Sequence, residues 1–165
     1  MPRMHAFELL PDEAGCELVR RDWRALRDAG LPSQLDHRGT TNSPHVTLAA
    51  APAIGEELAR AAAGLLAGHL PAAVRTSGLA LFGDRRVTLV RLLTVPDAMT
   101  RAVLDLRAAV PDVAHLGWLP HVTLARRVEP ADVARALAVV TRPDEPLSLT
   151  TLRHWDPDAG IVTIL

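Results

Sequence analysis

The pentapeptide Pro-His-Val-Thr-Leu occurs once in each half of the chain, as Pro44-His45-Val46-Thr47-Leu48 and as Pro120-His121-Val122-Thr123-Leu124. Side chains alternate along an extended strand, so His45 and Thr47 share one face while Val46 and Leu48 take the other. The same holds for His121 and Thr123 against Val122 and Leu124. Each copy therefore predicts a strand with an apolar face for a core and a second face carrying an imidazole and a hydroxyl. Random order of the 7 His and 12 Thr among 165 residues gives about 0.5 His-x-Thr triplets. Two copies inside an identical frame point to an internal repeat.

Imidazole, with an unperturbed pKa of ~6.5, populates both protonation states near neutral pH and serves as either acid or base. In-line displacement at a phosphodiester needs a base where the nucleophile enters and an acid where the leaving oxygen departs, on opposite sides of phosphorus. One His from each of two strands meets that demand, and two on one strand would not. Thr47 and Thr123 can donate to the non-bridging oxygens. The scheme calls for no metal and no cofactor.

The elements that must position these residues repeat as well. Met4–Leu10 is expected as a strand. A helix follows, with Asp12 as N-cap, Val19, Trp23 and Leu26 on one face, and Gly30 as its stop. A polar loop over 31–43 leads into the first motif. Pro52 is expected to open a second helix with Ile54, Leu58, Ala61 and Leu65 inward and Gly68 at its end. Strands over 72–82 and 86–95 flank a Gly83-Asp84 turn. A third helix after Pro96-Asp97 carries Met99, Val103, Leu106 and Val110, and Pro111 closes it. The loop 112–119 precedes the second motif, and Pro130 opens a fourth helix with Val133, Leu137 and Val140. Strands over 147–155 and 161–165 end the chain around Asp158-Ala159-Gly160. The order predicts an α+β fold: one domain over 1–165, with two pseudo-symmetric αβ lobes at about 1–83 and 84–165 and antiparallel sheets around a central cleft.

Composition narrows the function classes. Hydrophobic residues make up 48% and charged residues 22%, the balance of a globular chain. A formal net charge of −1 argues against a coat for duplex DNA. All 18 basic side chains are Arg, able to clamp phosphate bidentately. A single cysteine, Cys16, excludes a disulfide framework and a thiolate metal cluster, and is expected as a small buried hydrophobe. Glu8 and Asp12 interrupt what a signal peptide would need as an apolar segment, and the uncharged stretch 48–55 is too short for a membrane span. A soluble, cytoplasmic monomer is expected, with no membrane partner.

The remaining histidines, His5, His37, His69, His115 and His154, show no metal-ligand spacing, and surface or capping roles are expected for each. His37 and His115 precede the two motifs and are placed where they could rim a cleft. Trp118 and Trp155 are expected as core or cleft wall. Without Tyr, and with 2 Phe and 3 Trp, few rings are available to stack on bases.

Two His-x-Thr motifs in a duplicated αβ chain of this size resemble the 2H phosphoesterase superfamily, and most closely the bacterial 2′-5′ RNA ligases, or RNA 2′,3′-cyclic phosphodiesterases. The resemblance implies that His45 is the proton donor to the leaving oxygen and His121 the proton acceptor that activates water. It implies that Thr47, Thr123 and Arg126, five residues after the second His, bind the substrate phosphate. Strict alternation instead puts Arg127 on the face of His121 and Thr123, and Arg126 joins that face only if a bulge or strand end follows Leu124. The implied substrate is an RNA end or small nucleotide bearing a 2′,3′-cyclic phosphate, with 2′-5′ ligation as the reverse reaction. Two other readings remain: a non-catalytic module that binds RNA or nucleotide phosphate, and a phosphodiesterase for another cyclic phosphate such as an ADP-ribose derivative.

Overall fold

A computed structural model describes residues 3–140 and 144–165. In chain order the elements are β1 (His5–Pro11), α1 (Glu13–Asp28), β2 (Val46–Ala51), α2 (Glu56–Ala67), β3 (Ala72–Phe82), β4 (Val87–Thr94), α3 (Asp97–Ala109), β5 (His121–Val128), α4 (Val133–Val140), β6 (Pro146–Asp156) and β7 (Ile161–Ile164). This is the mixed α+β architecture that the repeated order predicts. Each strand pair is antiparallel, and the sheet runs β2-β1-β6-β3-β4-β5, with β7 added to β6.

That order is symmetric about its middle. β1 and β2 of the first half pair with β6 of the second, while β4 and β5 of the second half pair with β3 of the first. The third strand of each repeat thus crosses to the other half. β2 and β5 end the order, yet they approach each other, so the sheet curls until its two edges meet.

The helices cross over too. α1 packs on β5 as well as on β1 and β6, and α3 packs on β2. Val19, Trp23 and Leu26 of α1 are buried, as their i, i+4, i+7 spacing predicts. Asp12 caps this helix by accepting from the Gly15 amide at 2.8 Å, and Gly30 leaves it at φ +70°, a conformation that favours glycine. Between them, Asp22 of α1 and Arg91 of β4 form a buried ion pair at 3.0 Å, and Arg91 also donates to the Val140 carbonyl of α4.

α2 departs from expectation. It begins at Glu56 after an extended Gly55, and it buries Ala59, Ala62 and Leu66, whereas Leu65 is exposed. Ile54 is buried, but in the approach to the helix. Ala and Leu lie on nearly every side of this segment, so two apolar stripes one residue apart were available and packing chose the other. In the fourth helical segment, Pro130 opens a short 3-10 turn, and α4 proper buries Ala136 and Val140. Cys16 is buried, as expected of a small hydrophobe, and burial pushes its thiol pKa up. Among the described residues no helix is long and apolar enough to cross a membrane.

Candidate active site

Both motif strands carry the same local device. Val46, Leu48, Val122 and Leu124 are fully buried, while His45, Thr47, His121 and Thr123 are partly exposed on the other face. His45 Nδ1 lies 2.7 Å from the Ser43 carbonyl, and His121 Nδ1 lies 2.6 Å from the Leu119 carbonyl. A carbonyl can only accept, so Nδ1 carries the hydrogen in both rings. That bond orients each imidazole and leaves its Nε2 as the atom available for proton transfer.

Each strand then bulges. Phe7 pairs with Ala49 but Glu8 pairs with Thr47, so Leu48 has no partner of its own on β1. Leu89 pairs with Ala125 but Val90 with Thr123, so Leu124 is the corresponding extra residue on β5. Leu48 and Ala49 are consequently both buried, as are Leu124 and Ala125, and alternation resumes one residue out of phase. The shift turns Arg126 toward the face of His121 and lets it line the cavity that holds His45. Arg127, at φ 61°, is exposed and lines neither cavity described below.

The bulges need partners for carbonyls withdrawn from the ladder, and those partners come from the opposite half. Trp118 Nε1 donates to the Thr47 carbonyl at 3.0 Å, and Arg107 of α3 donates to the Leu48 carbonyl. Reciprocally, Trp23 Nε1 of α1 donates to the Thr123 carbonyl at 3.0 Å. Arg107 also donates to the carbonyls of His115 and Leu116, so it holds the loop before the second motif as well.

Two adjoining cavities open on this face. One, of about 430 Å³, contains His45, Thr47 and Arg126, with Glu8, Arg153, His37 and Trp155 around them. The other, of about 540 Å³, contains His121 with Phe82, His115, Trp118 and Leu119. Thr47 and Ala50 belong to both, and form the wall where the two meet. Thr123, on the same face of β5 as His121, lines neither.

The electrostatics of the two imidazoles differ. Glu8 Oε1 stands 3.5 Å from His45 Nε2, and its Oε2 accepts from Arg153 Nε at 2.8 Å; both members of that pair are buried. His121 and Phe82 form a T-shaped pair at a ring-centroid distance of 5.2 Å. Burial lowers the His121 pKa from its ordinary value. The positive charges of His45 and Arg126 act in the same direction, and the bond to the Leu119 carbonyl opposes them.

A family model, the 2′-5′ RNA ligase superfamily, matches residues 14–157. The chain belongs to this superfamily. Solved structures agree on the fold. E. coli LigT complexed with NADP+ aligns with a TM-score of 0.54 at 23% identity, over 99% of this chain and 94% of that one. E. coli LigT complexed with phosphate gives 0.56 at 22%, and a structure described as a phosphoesterase gives 0.52 at 22%, each over the same shares of both chains. No curated protein sequence matches the chain.

Within this 2′-5′ RNA ligase superfamily chain, the residues singled out from sequence fall unevenly. His45, Thr47 and Arg126 share one cavity, His121 occupies the next, and His37 and His115 rim one each. Trp118 and Trp155 are cleft wall. His5 and His154 depart from the surface or capping roles expected of them: His5 is buried and its ring stacks on His154. Two charged residues of the first cavity, Glu8 and Arg153, are not among the site residues expected from sequence. The available signal was a lone carboxylate inside an otherwise apolar strand, a placement that is costly without a partner.

Proposed function

We propose that the protein is a metal-independent phosphoesterase that opens 2′,3′-cyclic phosphates on RNA ends or nucleotides. Water attacks phosphorus while His121 Nε2 takes its proton. His45 Nε2 gives its proton to O3′ as the P–O3′ bond breaks, and a 2′-phosphate remains. With a 5′-hydroxyl in the place of water, the same displacement forms a 2′-5′ linkage: His121 takes the hydroxyl proton and His45 protonates O3′ as it leaves. Thr47 and Arg126 bind the non-bridging oxygens, with Thr123, which lines neither cavity, in a lesser role.

The observation that carries this reading is the shared tethering of Nδ1 in both motif histidines. It presents two Nε2 atoms, one per half, to adjoining cavities in a superfamily of phosphoesterase and ligase type. The asymmetry supports the division of labour. A lowered pKa keeps His121 neutral at neutral pH, as a base must be, and Glu8 can accept the Nε2 hydrogen of a protonated His45 until substrate takes it. E. coli LigT, which shares the fold, is described in complex with 3′-AMP, ATP and NADP+, all nucleotide phosphates. Both imidazoles come from one polypeptide, so a monomer suffices.

The test is turnover, with EDTA present, of 2′,3′-cyclic mononucleotides and of short RNAs ending in a cyclic phosphate. Release of the 2′-phosphate is expected. Binding without turnover across the panel would make the protein a phosphate-binding module instead, and activity lost to EDTA and restored by a divalent ion, with Tm unchanged, would mean the imidazoles are metal ligands.

A further inference from the structure

A second group of polar side chains gathers where β1 begins and β6 ends. Met4, Ala6 and Glu8 line the His45 cavity, as do Arg153 and Trp155. Alternation therefore sends His5 and Phe7 of β1, and His154 and Asp156 of β6, to the opposite face of the sheet. There His5 is only 8% exposed. Its Nε2 lies 3.3 Å from Asp158 Oδ2 and 3.9 Å from Asp156 Oδ1. One donor atom from each of His5, Asp156 and Asp158 lies within 4.8 Å of the other two. On the other side of the ring, His5 Nδ1 is 3.2 Å from His154 Nε2, with the two rings stacked at 5.4 Å.

Two ring nitrogens at that distance share one hydrogen. With the hydrogen on His5 Nδ1, His154 accepts it, and His5 Nε2 turns its lone pair toward two carboxylates, the arrangement a bound cation requires; with the hydrogen on Nε2, His5 instead donates to Asp158 Oδ2 at 3.3 Å. Tetrahedral nitrogen and oxygen ligands about 2.0–2.1 Å from zinc stand roughly 3.3 Å apart, which is the His5–Asp158 spacing; the His5–Asp156 spacing is about half an ångström longer. We propose that His5, Asp156 and Asp158 form a binding site for a divalent transition-metal ion of the zinc class, with His154 as the residue that orients His5.

The donor set supports this chemistry. Imidazole selects against magnesium and calcium, and two carboxylates balance the charge of a divalent ion. A histidine ligand ordinarily donates its second N–H to a neighbouring acceptor, as His5 can to His154. The turn is already shaped for the purpose. Asp156 Oδ1 accepts from the amides of Asp158 at 2.9 Å and Ala159 at 3.0 Å, which aims the Asp158 carboxylate back at His5, and Arg3 donates to the Pro157 carbonyl at 3.2 Å. An ion there would clamp the β6–β7 turn to the start of β1, on the face away from the catalytic imidazoles.

The test is calorimetric titration of the full chain with Zn²⁺ after EDTA dialysis, alongside thermal unfolding. One ion per chain is expected, with a rise in Tm. Asp158→Asn, at an exposed position that leaves the fold intact, should weaken binding at least about tenfold, and His154→Gln by about 10- to 100-fold. Two results would overturn the proposal. In one, the wild-type chain binds no Zn²⁺, so that His5 and Asp158 form only an ion pair. In the other, Asp158→Asn binds as tightly as wild type, so that the ion lies elsewhere, for instance on the cleft imidazoles.

Discussion

The strands β2 and β5 carry the same five residues and the same bulge, but they sit in different surroundings. Opposite Thr47 stands Glu8, and beyond it Arg153; opposite Thr123 stands Val90, and beyond it Ala80. Five residues after the motif His, the first strand has Ala50 and the second has Arg126. Two flanking aromatics hold matching places, Trp155 beside the His45 cavity and Phe82 beside His121. Backbone, tautomer and carbonyl support are therefore duplicated, while the charged cleft residues are not. The duplicated part delivers two equivalent imidazoles. The unduplicated part makes them unequal, with a carboxylate beside one and with burial and positive charge acting on the other.

The largest expected effects come from the duplicated part. His45→Ala and His121→Ala should each lower kcat by ~10²–10⁴ with the fold retained, as measured by single-substrate turnover and circular dichroism. The unequal roles sharpen that comparison. On a diester with an aryloxide leaving group, which departs without help from an acid, His45→Ala should recover much of its loss and His121→Ala should not. Equal recovery would contradict the assignment of acid and base.

The threonines separate next. Thr47 lines both cavities and Thr123 neither, so Thr47→Val should cost about 10- to 100-fold in kcat/KM, the worth of one hydrogen bond to a charged oxygen, and Thr123→Val less. An equal loss would show that the two strands contact the phosphate symmetrically.

Trp23→Phe and Trp118→Phe each remove the donor to a bulge carbonyl. Leaving that carbonyl unpaired should destabilise the chain by about 1–3 kcal/mol in either case, read by denaturant midpoint. Because each indole supports the opposite half, both substitutions should also loosen a motif they do not belong to in sequence.

The smallest effect is electrostatic. Loss of activity at low pH reports protonation of the base. Since the His121 pKa is lowered, that limb should lie below the ordinary imidazole range. Arg126→Ala removes a positive charge that favours the neutral ring, so the His121 pKa should rise and the limb should move to higher pH. A limb that stays in place, or moves to lower pH, would count against His121 as the base.

How much of this could be read from sequence depends on the range of the interaction. Strand faces at 45–48 and 121–124 obey period two locally, and the inward face of α1 obeys its i, i+4, i+7 spacing behind the Asp12 cap. The inward face of α2 was not legible, because Ala59, Ala61, Ala62, Leu65 and Leu66 offer competing stripes and only the sheet beneath decides. The bulges were not legible because no glycine marks them. They are sustained by Trp118 acting 71 positions away and Trp23 acting 100 positions away. That is also why alternation alone favoured Arg127 where the folded strand presents Arg126. Glu8 showed locally only as a carboxylate within an apolar strand; the partner that fixes its role, Arg153, lies 145 positions distant. The crossing of β3 and β6 between halves is likewise a matter of pairing, which the order of elements does not specify.

The proposed mechanism requires both halves to serve one reacting centre. The most direct test is kcat on a 2′,3′-cyclic nucleotide for His45→Ala, His121→Ala and the double variant. Groups that act as a unit are non-additive, so the double variant should be scarcely slower than the worse of the two singles. If the two losses instead multiply, or if either single variant keeps wild-type turnover, the motif histidines do not work on the same phosphate.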